Sequence, residues 1–187
     1  MVDVSPPVAG AVDNLRVVYA TDKAMIKSTP TIWTYQTQND AVDRALVSAN
    51  LDKMAMALTQ AADASTAWKT IFSKPASKTW SDVKLAITVN TVDASCIPRH
   101  AVVGKICEVA INELGMTGDN ICVYDVDFTA HSGHHPGIVG TYAANTTAYP
   151  FPAGVRLSAN CFSGQKSTVA VPGGTLGTVN CLKDLVD

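Results

Sequence analysis

The chain has 187 residues, of which 47% are apolar and 16% charged, and its formal net charge is −2. That balance is enough to build a sizeable core and excludes a disordered chain, which would carry more charge and less apolar surface. Acids and bases are interspersed with no basic stripe to follow phosphates, so no nucleic-acid partner is expected. The longest apolar runs fall far short of the roughly 20 residues that span a bilayer, so no membrane span is expected either.

The opening MVDVSPPVAG lacks the basic and continuous apolar regions of a signal peptide. It leaves two compartments open: cytoplasmic, or exported after removal of a signal not present in this chain. NLRVVYA, 14 to 20, is rich in β-branched and aromatic residues and predicts a strand. Asp40 is then a candidate N-cap for a helix through DAVDRALVSANLDKMAMALTQA, with Val42, Leu46, Ala49, Met54, Ala57 and Leu58 at about helical spacing. Met54 and Met56 read as flexible core fillers rather than as cofactor ligands. STAWKTIF, 65 to 72, predicts a short second helix with Trp68, Ile71 and Phe72 near one face.

The strongest local pattern follows. VKLAITVN, 83 to 90, is a nearly continuous apolar strand. Arg99 to Leu114 is helical, with Val102, Val103, Ile106, Val109, Ala110 and Leu114 on one face and Gly115 as C-cap. NICVYDVDF, 120 to 128, is a second strand. This βαβ unit, residues 83–125, predicts parallel strands with a right-handed crossover. Unbroken apolar strands of this kind fit a sheet with helices on both faces, which makes the expected fold α/β with a mostly parallel sheet. Residues 1–187 read as a single domain.

The remainder is less regular. TYAANTTAYPFPAGV offers a short helix ended by prolines, Lys166 to Val171 a strand, and VPGG a turn. GTVNCLKDLVD reads as the beginning of a helix with Leu182, Leu185 and Val186 on its apolar face. Asp184 and Asp187 sit where a helix dipole favours cations, and no glycine cap follows. The expectation is a chain that ends inside an element, an incomplete domain whose unfinished C-terminal edge self-associates or pairs with a partner chain. FSGQKST is not a Walker loop, because its upstream glycine is missing and Gln165 separates Gly164 from Lys166. GGTLG, 173 to 177, reads as a turn, and neither Ser132 nor Ser163 lies in a nucleophile elbow.

Five cysteines, Cys96, Cys107, Cys122, Cys161 and Cys181, form no C-x-x-C pair. Cys107 and Cys122, in a helical and a strand pattern, read as buried small hydrophobes, and the odd count leaves at least one thiol unpaired within the chain.

Three stretches resemble a known family. ALVSANLDKMAMALTQAADASTAWKTIF is similar to a helical segment that ends in an alanine–tryptophan–basic pattern before a phenylalanine. VKLAITVNTVDASCIPRHAVVGKICEVAINELGMTGDNICVYDVD is similar to a core strand, crossover helix and second strand. VPGGTLGTVNCLKDLVD is similar to the approach to a further strand. Together they resemble the bacterial and archaeal domain-of-unknown-function family 362 over most of residues 40 to 187. Two departures accompany the match. Thr88 stands where the family commonly has a lysine, two places before Asn90, and the family continues into a C-terminal half that lies beyond Asp187. Some relatives carry iron–sulfur cysteine clusters; this chain shows none of that spacing, so no iron–sulfur cluster is expected. The resemblance implies a fold and no reaction.

Ligands of parallel α/β sheets sit beyond the carboxyl ends of the strands. Two long loops leave such ends, NTVDASCIPRH at 90 to 100 and DVDFTAHSGHHPG at 125 to 137. If the strands are parallel, Asn90, Asp93, Cys96 and His100 share an edge with Asp125, Asp127, His131, His134 and His135. Imidazole and carboxylate together suit a divalent transition metal. The metal reading makes Asp125, Asp127, His131, His134 and His135 the candidate ligands. Asn90, Asp93 and His100 are then candidate ligand-binding residues, with His100 or Asp93 as base or support. Two alternatives stay open: a solvated histidine-rich loop, and an anion-binding or proton-transfer site working near neutral pH. A structural or assembly module without catalysis is the rival class.

Overall fold

The computed structural model describes residues 17–31, 35–89, 98–124, 150–157, 166–170 and 178–182. The first helix, α1, spans Tyr35–Asp40. A single antiparallel bridge between Ile26 and Val42 ties the segment before α1 to the residues after it. The Asp43 amide donates to the Met25 carbonyl at 2.8 Å and the Lys27 amide to the Ala41 carbonyl at 2.7 Å. Helix α2 covers Arg44–Thr59. Its N-cap is Asp43, whose carboxylate accepts the Leu46 amide at 3.0 Å, and it ends at Gln60 in a left-handed conformation with φ of +61°. Helix α3, Ala64–Ile71, is capped in the same way by Asp63, which accepts from the Thr66 amide at 2.8 Å and hydroxyl at 2.9 Å.

Strands β1, Leu85–Thr88, and β2, Ile121–Tyr124, are parallel neighbours with Leu85 opposite Ile121 and Thr88 opposite Tyr124. Helix α4, His100–Asn112, connects them. The expected βαβ unit is therefore present. A third parallel strand, β3, Arg156–Leu157, lies on the far side of β2 and gives the order β1-β2-β3. Strands β4, Lys166–Ala170, and β5, Thr178–Leu182, form a separate antiparallel pair. The fold is a mixed α/β arrangement whose main sheet is parallel. Among the described residues no helix is long and apolar enough to cross a membrane.

The core is laid down in two layers. Val103, Cys107, Ala110 and Leu114 of α4 and its C-terminal turn pack with Ile121 and Val123 of β2 and with Val83 and Val89, which flank β1. Val109, on a different side of α4, packs with Ala55 of α2 and with Ala67 and Trp68 of α3. The described helices α2 and α3 thus rest on α4. One polar node reinforces that junction: Asp52 accepts the Trp68 indole N–H at 2.7 Å and the Lys105 ammonium at 2.9 Å. Burying an indole with its N–H satisfied keeps the large apolar contribution of the ring without a desolvation penalty.

Four expectations are corrected. Residues 17–20 are not a strand, and Val17 and Tyr19 are 86% and 82% exposed, because β-branched composition alone supplies no neighbour to pair with. Asp40 ends α1 instead of opening the long helix, which starts at Arg44 under the Asp43 cap. The buried side of that helix carries Val47, Asn50 and Ala55, flanked by Leu51 and Met56, while Ala49, Ala57 and Leu58 face outward. Apolar residues surround the helix, so spacing alone did not single out the inner face. Finally, Thr178–Leu182 is a strand, not the start of a helix. Cys107 is free and fully buried as expected, whereas Cys122 is buried and disulfide-bonded.

Candidate functional site

Because β1 and β2 are parallel, their carboxyl ends lie at one edge of the sheet, and α4 begins after the chain has left that edge. Arg99 occupies the N-cap position of α4 with extended backbone and gives no side-chain cap. The missing cap comes from 61 residues away: the Asn39 side-chain oxygen accepts the His100 amide at 3.0 Å. Its neighbour Gln38 accepts a hydrogen bond through Oε1 from the Arg99 guanidinium. Gln38 and Asn39 are the last-turn residues of α1, and both are buried. A six-residue helix with little apolar content is thus held in place by what its amides do for another helix.

His100 is only 1% exposed. Its ring lies 4.2 Å from the Phe151 ring at an angle of 52°. Gly104, one turn on, leaves room for it: a Cβ there would stand 3.2 Å from the imidazole and 3.6 Å from the Arg44 guanidinium. Burial, and secondarily the charge of Arg44, lower the His100 pKa to about 4. The imidazole is therefore neutral at physiological pH, and the fixed positive charges here are Arg44 and Arg99. Arg99 stands at the N-terminal end of α4 and Arg44 beside its first turns, where the helix dipole favours an anion.

Two hollows adjoin this cluster. One, about 270 Å³, runs between α2 and α4 along Arg44, Ser48, Lys105 and Glu108. The other, about 260 Å³, is lined by Arg99 and Gln38 on one side and by Ile26, Pro30, Ala41 and Val42 on the other.

Of the residues singled out in the sequence, only His100 lies among those described. Asn90, Asp93, Asp125, Asp127, His131, His134 and His135 lie outside the described residues. His100 is positioned by burial against Phe151 and Gly104 as a neutral ring. Among the described residues no group of three histidine, cysteine or acidic side chains is placed to hold a metal ion. Arg44, Arg99, Gln38 and Asn39 were not foreseen. Gln38 and Asn39 sit in a polar stretch with no local pattern, and only the absence of a Ser, Thr, Asp or Asn cap before His100 hinted that a cap must come from elsewhere. No family model, no curated protein and no solved structure matches the chain.

Proposed function

We propose that this domain binds a small anion at the carboxyl edge of its parallel sheet, with Arg99 as the principal contact at the N-terminus of α4. The observation that carries the reading is the convergence of Arg44 and Arg99 with buried Gln38 and Asn39 on that helix end, beside a neutral buried histidine. A neutral His100 adds no proton equilibrium to the site near pH 7, so selectivity rests on the arginines. The dipole of α4 adds to their attraction. Kinship with domain-of-unknown-function family 362 remains a proposal carried by the three stretches quoted above, and the anion reading does not depend on it.

Calorimetric titration with phosphate, sulfate and small carboxylates tests this. Arg99→Gln should weaken binding by about 10- to 100-fold, since a hydrogen bond to a charged group contributes roughly 1.5–3 kcal/mol and each 1.4 kcal/mol is about tenfold. Absence of binding by all of these anions, or equal binding by Arg99→Gln, overturns it. The same titration with zinc or manganese examines the metal proposal for Asp125, Asp127, His131, His134 and His135. There a metal-dependent rise in melting temperature, abolished by His131→Ala or His135→Ala, is the expected outcome.

A further inference from the structure

Strand β2 separates two cysteines. Side chains alternate between the two faces of a strand. Ile121 and Val123 of β2 face α4, together with Leu85 and Ile87 of β1 and Leu157 of β3, and Cys107 packs from α4 into the same cluster. Cys122 sits between Ile121 and Val123 in the chain, so its side chain stands on the opposite face, in a row with Ala86 and Arg156. Cys107 and Cys122 are both 0% exposed, and the sheet lies between them. Cys122 is disulfide-bonded and Cys107 is free. The second sulfur of the bond therefore comes from Cys96, Cys161 or Cys181.

Burial sets the order of events. Disulfide exchange requires a thiolate to touch the sulfur that it attacks. A sulfur with no exposed surface gives no such approach, so the bond is made while the chain is still open, before β2 is enclosed. In a reducing compartment thiols are kept reduced throughout that interval, and β2 would be enclosed with Cys122 as a thiol. A fully buried bond is also unsuited to switching, since regulatory and catalytic disulfides are the exposed or strained ones. The bond at Cys122 is thus a product of folding and not a response of the folded protein.

We infer that this chain matures in an oxidising compartment, where an oxidised disulfide-exchange protein joins Cys122 to one of Cys96, Cys161 or Cys181 before β2 is enclosed. One thiolate of the chain attacks the carrier's disulfide and displaces a carrier thiolate. The second cysteine then attacks the mixed disulfide and releases the carrier as a dithiol. The chain's two thiols lose two electrons and two protons, and the carrier gains both. Of the two compartments that the sequence leaves open, this selects export, independently of the anion site.

The test produces the full chain twice in one bacterial host, once in the reducing cytoplasm and once behind a cleavable export signal. Both samples are quenched with acid at lysis, alkylated in denaturant and mapped by mass spectrometry. The exported chain should carry Cys122 in a disulfide with one of the three named cysteines, and Cys107 alkylated. The cytoplasmic chain should be alkylated at all five cysteines. It should also melt about 5–15 °C lower, the shift expected for a lost native disulfide in a chain of this size. Cys122→Ser in the exported chain should melt like the cytoplasmic chain. The inference falls if Cys122 is paired to the same extent in both samples, if it is alkylated in the exported chain, or if the two samples melt alike. Should the variant or the cytoplasmic chain fail to fold, the two thiol maps still decide, because alkylation in denaturant needs no folded protein.

Discussion

His100 links local burial to a measurable property of the folded chain. Its pKa is lowered from 6.5 to about 4 by burial and by the Arg44 charge, so the folded state resists a proton that the unfolded chain accepts. The unfolded state therefore binds more protons between those two values, and stability falls as pH drops from about 6.5 toward 4. It is fully present above 6.5. A shift of this size corresponds to a loss of about 2 kcal/mol between pH 7 and pH 5. Beside burial, the charge that holds the imidazole neutral is the Arg44 guanidinium of α2. Asp63, held below its usual range mainly by the Thr66 amide, titrates below this pH window. Urea denaturation at pH 7 and pH 5 should show the loss in the native sequence and a much smaller one in His100→Phe, which keeps a ring beside Phe151. Equal pH dependence in the two proteins would show that His100 is not the group responsible.

Between the elements, one glycine contact carries the connection from α4 to the third strand. Gly118 lies in the short turn before β2, and a Cβ added there would land on the Ala153 carbonyl oxygen. Gly154 answers from the other side with φ of +87°, and a Cβ on it would meet the Asp119 carboxylate at 2.8 Å. This close approach fixes the turn that delivers Arg156 and Leu157 to β2. Gly118→Ala must push backbone against backbone and should cost about 2 kcal/mol or more. Gly115 provides the comparison. It closes α4 with φ of +83°, and a Cβ there would meet nothing within 4 Å, so Gly115→Ala should cost only the left-handed conformational penalty of about 1 kcal/mol. Guanidinium midpoints measure both, and equal losses would contradict the close-approach account. The same elements show what was legible in the sequence. Continuous Val and Ile runs at 83–89 and 120–125, a helical period between them and a glycine after Leu114 are local signals, and they specify the βαβ unit without help from the rest of the chain. The inner face of α2 was not legible, since Ala and Met surround it. Nor was the strand at Thr178–Leu182, a segment too short for period to separate strand from helix. The site was the least legible part. Its decisive pairs, Arg99 with Gln38 and His100 with Asn39, join residues 61 apart, and no local pattern encodes a cap supplied at that range.

For the whole molecule, the two described cysteine side chains make opposite forecasts under redox challenge. Cys122, at the centre of the parallel sheet with no exposed surface, is disulfide-bonded. Cys107, which packs from α4 against Ile121 and Val123, is free, and burial pushes its pKa up to about 12. A thiol held that far from its thiolate is a poor nucleophile, and burial also denies it access to reagents. It should therefore neither react with iodoacetamide in the folded protein nor exchange with the Cys122 disulfide. Breaking a native disulfide typically costs 2–5 kcal/mol, which for a chain of this length lowers the melting temperature by about 5–15 °C. Phosphine reductant should produce that drop, and its removal under oxidising conditions should reverse it. Thiol counting in denaturant without reductant should find no more than three of the five cysteines reactive, because one bond consumes two. Finding all five reactive, with a melting temperature indifferent to reductant, would rule out a disulfide at Cys122. The sheet would then owe its stability to the packing of Ile121 and Val123 against α4 without covalent help.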